Sequence, residues 1–78
     1  MNDAIYNVVA DIIADVMSIS ASEVAPEKTK KDLDVDSLDM LDIVTSLEDH
    51  YGIEIADDAI DRIQTVEDAV NYLDEIVG

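Results

Sequence analysis

Seventy-eight residues are enough for one domain, and they carry 20 acidic side chains against 4 basic ones, a formal net charge of −16. Such a charge repels the phosphate backbone of nucleic acids and anionic membrane surfaces; it points to partners with basic patches, or simply keeps a small domain soluble and monomeric. With no cysteine there is no disulfide and no thiolate metal site, so a domain of marginal size has to be held by packed Ile, Val and Leu side chains.

The first residues, MNDAIYNVV, show neither a basic leader nor a long apolar stretch, which predicts a cytoplasmic protein without signal peptide or membrane span. Ile5, Val8, Val9, Ile12, Ile13 and Val16 recur at three- and four-residue spacing. This predicts an amphipathic helix over residues 3–17, with Asp3 as N-cap and Asp11 and Asp15 in solvent. The periodicity fails from Ser18 to Val35, where the only proline, Pro26, lies with three of the four basic residues, Lys28, Lys30 and Lys31. That stretch reads as a long connection within one domain, since neither side of it could fold alone, with Val24, Leu33 and Val35 as expected anchors.

A second helix is expected from about Asp36–Ser37 to Gly52, whose freedom to turn left-handed suits a C-terminal cap. Met40, Leu41, Ile43, Val44, Leu47 and Tyr51 form its predicted apolar face. Asp39, Asp42, Ser46 and Asp49 lie opposite, and Glu48 falls at the edge of the apolar arc. Residues 58–63 allow one or two further helical turns. Thr65 then starts a last helix, with Asp68 completing a shortened capping box and Val66, Ala69, Val70, Leu73, Ile76 and Val77 on its apolar side. The expected fold is all-α, a small four-helix bundle of three main helices and one short one, with a long loop between the first two. It forms a single domain over residues 1–78.

Asp36-Ser37-Leu38-Asp39 falls where the loop becomes the second helix. A serine there can simply cap the helix by satisfying N–H groups that lack intrahelical partners. It can also present an exposed hydroxyl, with the positive end of the helix dipole favouring a phosphate esterified to it. Asp36 and Asp39 would then orient the hydroxyl or help hold a metal ion during phosphoryl transfer. The four residues alone leave both readings open.

D-S-L-D at such a junction, the amphipathic run from Met40 to Tyr51, the following G-I-E-I and the final T-V-E-D-A-V-N-Y-L together resemble the acyl carrier protein family. The likeness spans nearly the whole chain in length, acidity and helix order. It implies that Ser37 is the serine to which a phosphopantetheinyl transferase joins 4′-phosphopantetheine donated by coenzyme A. Asp36 and Leu38 would flank that attachment, and the arm's thiol would carry acyl groups as thioesters. Asp36, Asp39, Asp42, Glu48 and Asp49 match the acidic surface that docks basic patches on acyl-chain synthesis and transfer enzymes. Leu38 and Met40 match the apolar positions beside the arm, and the aliphatic core matches the shelter of the acyl chain. The default pathway for a stand-alone carrier, working as a monomer, is fatty acid biosynthesis; polyketide and aminoacyl-thioester carriers share the same serine and helices. The chain departs from the family in having Asp34 where glycine usually stands two residues before the Asp-Ser pair. It also has Thr45 where many fatty-acid carriers have methionine.

Two readings from other classes compete. Asp32, Asp34 and Asp36 open like an EF-hand loop, but its sixth and twelfth positions fall on Ser37 and Ile43 instead of glycine and glutamate, so no specific metal site is expected. A plain acidic helical interaction module, with Ser37 only as a cap, is the other. An enzyme fits poorly: His50 has no cysteine or clear serine partner and reads as a partly exposed neighbour of Tyr51. The only glycines, Gly52 and Gly78, make no phosphate loop. Ser37 is thus expected to be acted on by other enzymes.

Overall fold

A computed structural model describes all residues 1–78. It contains four α-helices and no strands: α1 (Asp3–Met17), α2 (Ser37–Tyr51), α3 (Asp57–Arg62) and α4 (Val66–Val77), with one 3₁₀ turn, Ala21–Glu23, in the long loop. The all-α four-helix architecture read from the sequence is the one adopted. No helix is long and apolar enough to cross a membrane.

The helix ends follow from their capping chemistry. Asn2, rather than Asp3, caps α1: its Oδ1 accepts from the Ile5 N–H at 3.2 Å and its backbone is extended. Asp3 becomes the first helical residue, where its charge faces the positive end of the dipole. Thr65 and Asp68 form the expected reciprocal box at the start of α4. Gly52 ends α2 at φ 65°, in the left-handed region that glycine enters at no steric cost. The 3₁₀ turn also has a box, with Ser20 and Glu23 as its ends. That S-x-x-E pattern stands in the sequence, in a stretch read only as a loop.

One core cluster of 14 buried residues, all of them apolar, joins α1, α2, α4 and the anchor Val24. α1 packs against both α2 and α4, while α3 makes no extensive packing with another helix and buries only Ala59. The loop is stitched to this frame by backbone bonds. Val66 N–H donates to the Lys28 carbonyl at 3.0 Å and Glu67 N–H to the Pro26 carbonyl at 2.9 Å. Tyr6 Oη donates to the Val24 carbonyl. Leu33 and Val35 pack against the core as half-buried side chains.

Three expected core positions differ. Leu41 is 61% exposed, because at 100° per residue it lies about 100° from the middle of the α2 face that points inward. Ile76 and Val77 stay in phase with the α4 stripe yet are 48% and 38% exposed. The cap of α1 reaches only as far as Asp74, through Asn2 Nδ2 to Asp74 Oδ1 at 3.0 Å, so nothing of α1 covers the residues beyond.

Residues 29–35 make a single helical turn closed by a Schellman motif. Val35 N–H donates to the Lys30 carbonyl at 2.9 Å and Asp34 N–H to the Lys31 carbonyl at 3.2 Å, with Asp34 at φ 61°. Thr29 and Asp32 bond reciprocally at its start. The Thr29 backbone N–H, and then its hydroxyl, hold the Asp32 carboxyl below its usual range. This contribution to stability is present above the unfolded carboxylate range and lost as pH falls through the lowered value.

The Schellman position favours glycine, and an L-residue there costs about 1–2 kcal/mol. Glycine's extra unfolded-state entropy offsets about 0.5–1 kcal/mol of that. Asp34→Gly should therefore raise the melting temperature, by up to roughly 12 °C, and by more than Asp34→Ala, which removes the charge but keeps a Cβ at the left-handed position. Thermal melts in which the two variants coincide would show that the left-handed backbone at Asp34 carries no cost.

Candidate functional site

Once the turn at residues 29–35 closes, the chain reaches Asp36 in extended conformation, φ −94° and ψ −176°, and starts α2. Asp36, not Ser37, is the N-cap. Its Oδ1 accepts from the Asp39 N–H at 2.8 Å, and Asp39 Oδ2 accepts from the Asp36 N–H at 3.4 Å. Ser37 is the first helical residue and is exposed. Its hydroxyl takes part in no hydrogen bond, and neither do the N–H groups of Ser37 and Leu38; the first helical bond runs from Met40 N–H to the Asp36 carbonyl at 2.9 Å. Two free backbone donors and the positive helix end thus surround a free hydroxyl. That is the arrangement in which a phosphate ester is stabilised.

Beside Ser37 lies an open groove of about 330 Å³, bordered by Asp36, Met40, Leu41, Ile60, Asp61 and Lys30 among others. Behind it, between α1, α2, α4 and the loop, is an apolar cavity of about 50 Å³ lined by Val9, Ile13, Ile43, Leu47, Tyr72 and Leu73 among others. Lys30, Val35, Met40 and Val44 border both spaces. The cavity is roughly a third of the 150 Å³ that admits a benzene ring, so it must expand to hold an alkyl chain. Each methylene it shelters contributes about 0.8 kcal/mol toward that expansion.

The site residues named from the sequence divide by their surroundings. Asp36, Leu38, Asp42 and Asp49 are exposed, Leu38 at 73%. Asp39, Met40 and Glu48 are half-buried and already engaged. Asp39 closes the cap, and Met40 lies between groove and cavity. Glu48 Oε2 accepts from the Ile55 N–H at 2.7 Å, which explains its place at the edge of the apolar arc: it pins the segment after Gly52. His50 is exposed, with its ring edge-on to Tyr51 at 4.7 Å. No three Asp, Glu or His side chains stand close enough to hold a metal ion. Sequence reasoning missed Lys30, Leu41, Ile60 and Asp61 at the groove. Leu41 could have been found from its angle on the helix, whereas only the folded loop brings Lys30 to α3.

Comparison with known proteins agrees with this geometry. Residues 7–73 match the family model described as a phosphopantetheine attachment site. The chain is 43% identical over 65 residues to an acyl carrier protein of Thermobifida fusca, covering 82% of each. It is 39% identical over 79 aligned positions to one from Picosynechococcus, covering 100% of this chain and 98% of that one. Among solved structures, an acyl carrier protein from Enterococcus faecalis matches with a TM-score of 0.75 at 36% identity, covering 91% of each chain. A helical body with a phosphopantetheine attachment site defines a carrier, whose prosthetic group, 4′-phosphopantetheine, is held covalently. The chain belongs to the acyl carrier protein family.

The division of labour at the α2 start can be checked by stability. Asp36→Ala removes the cap and should cost about 1 kcal/mol, lowering the melting temperature by about 4–8 °C. Ser37→Ala should stay within about 0.5 kcal/mol of the parent. Equal losses in thermal melts would mean that Ser37 itself does the capping.

Proposed function

We propose that Ser37 is the attachment residue and that the protein carries acyl intermediates of fatty acid biosynthesis as thioesters on its arm. The observation that carries this reading is the free Ser37 hydroxyl. Asp36 takes over the capping that would otherwise engage it, and a groove leads from it to an apolar cavity. In attachment, Ser37 Oγ bonds to the pantetheine-side phosphorus of coenzyme A as adenosine 3′,5′-bisphosphate leaves. The hydroxyl proton passes to a base of the phosphopantetheinyl transferase. The arm supplies the thiol that forms the thioester; the protein supplies position, shelter and docking.

In this reading residues 1–78 form one carrier domain that is substrate and shuttle for other enzymes. Exposed Asp36, Asp42 and Asp49, with the half-buried Asp39 and Glu48, give α2 an acidic face toward basic patches on synthesis and transfer enzymes. Leu38 and Met40 add apolar contact. Charge-led docking favours fast encounter, as a shuttle requires. The net charge of −16 favours a monomer, and in this reading the protein works in the cytoplasm.

Incubation of the apo-protein with coenzyme A, Mg²⁺ and a promiscuous phosphopantetheinyl transferase should add one phosphopantetheine mass. Ser37→Ala should abolish the gain with its helical circular dichroism intact. A folded parent that gains nothing in intact-mass spectra contradicts the assignment.

A further inference from the structure

Lys30 is the one cation that borders both the groove and the cavity; Lys28 lines the cavity alone. Both spaces share a border of Lys30, Val35, Met40 and Val44, so three of the four bordering side chains are apolar. The Lys30 backbone is fixed by the Schellman turn, where its carbonyl accepts from Val35 N–H. From there its side chain crosses to α3, and Nζ donates to the Ile60 carbonyl at 3.3 Å. No carboxylate lies within salt-bridge distance of it, since the only ion pair joins Arg62 to Asp58; Asp36 and Asp61 border the groove without reaching it. An ammonium has three donors, so two remain available at a half-buried position where a purely apolar chain would satisfy neither.

An acyl chain entering from an arm on Ser37 would place its far methylenes in the apolar cavity. The carbons nearest the thioester would cross the border beside Lys30. We propose that Lys30 is a specificity-determining residue that favours acyl chains bearing an oxygen acceptor near the thioester over fully saturated chains. The inference rests on the reading of Ser37 as the attachment residue. A bare alkyl chain leaves two of the ammonium's three donors desolvated without a partner, whereas a ketone oxygen accepts a charge-assisted hydrogen bond from one of them. The same lysine also ties the loop to the lightly packed α3, so a cargo that engages it acts where the helices are held most loosely.

The test loads wild type and Lys30→Met with octanoyl- or 3-oxooctanoyl-phosphopantetheine from the corresponding coenzyme A thioester. Loading is followed by intact mass and each form is then melted. Any effect of Lys30 on the phosphodiester is common to both cargoes and cancels in the difference between them. In wild type the 3-oxooctanoyl form should melt at least as high as the octanoyl form. Lys30→Met should shift that difference toward octanoyl by about 5 °C, while Lys30→Arg, which keeps the cation, should preserve the wild-type order. The same difference in Lys30→Met as in wild type overturns the inference. If Lys30→Met melts too low to compare, a wild-type 3-oxooctanoyl form melting below the octanoyl form overturns it, and one melting at least as high supports it. Absence of any mass gain overturns the attachment reading and this inference with it, whereas loading with the same difference between cargoes in Lys30→Met as in wild type overturns this inference alone.

Discussion

The reciprocal bonds between Asp36 and Asp39 decide what the start of α2 can do. A helix beginning here needs a side-chain acceptor for its third N–H, and Ser37 one position earlier would have supplied it with its own hydroxyl. Because Asp36 supplies it instead, at 2.8 Å, the serine enters the helix proper with its oxygen unused. Two backbone donors, on Ser37 and Leu38, stay open around it. Capping falls to Asp36, and the neighbouring hydroxyl, which competes with it for the same atoms in the sequence, is left free for the proposed attachment. The Schellman turn ending at Val35 sets this up, since it delivers Asp36 in the extended conformation that a cap requires.

The rest of the bundle fits a body that must be firm at one end and yielding at another. α1 serves as the spine for α2 and α4, and the loop is bonded to the start of α4 by main-chain contacts that do not depend on side-chain identity. The core holds no aromatic residue; the three Tyr stand at its margin, where Tyr6 ties down the loop and Tyr72 borders the cavity. Aliphatic side chains around a small void can shift apart at modest cost. α3, six residues long without a side-chain cap, has the least to hold it. Opening is therefore easiest on the side where groove and cavity meet.

The fold was largely legible because three-and-four spacing of Ile, Val and Leu is strong in α1, α2 and α4, and because Gly52 and Thr65 mark their ends by chemistry. Asp3 was one residue off as a cap because Asn2 has an equivalent acceptor, and spacing alone does not rank the two. Leu41 followed the apolar pattern but lies at its angular limit, while Ile76 and Val77 follow it past the point where α1 can cover them. At the site, the proposal of Ser37 and its acidic neighbours was readable from four residues together with the resemblance of the whole chain. That Asp36 caps and leaves the Ser37 hydroxyl free was not, since serine and aspartate cap equally well. Glu48's bond to Ile55 and Lys30's reach to Ile60 depend on contacts between segments 7 and 30 residues apart, which no local pattern encodes.

The central claim is that one hydroxyl, Ser37 Oγ, bears the arm, and the chain offers a direct way to see it. Cleavage after Lys31 and Arg62 releases residues 32–62, a peptide that also contains Thr45, Ser46 and Tyr51. Fragmentation of that peptide from the protein isolated from its host should locate a phosphopantetheine mass on Ser37. A mass located on Thr45, Ser46 or Tyr51, or a peptide wholly without it, would contradict the account.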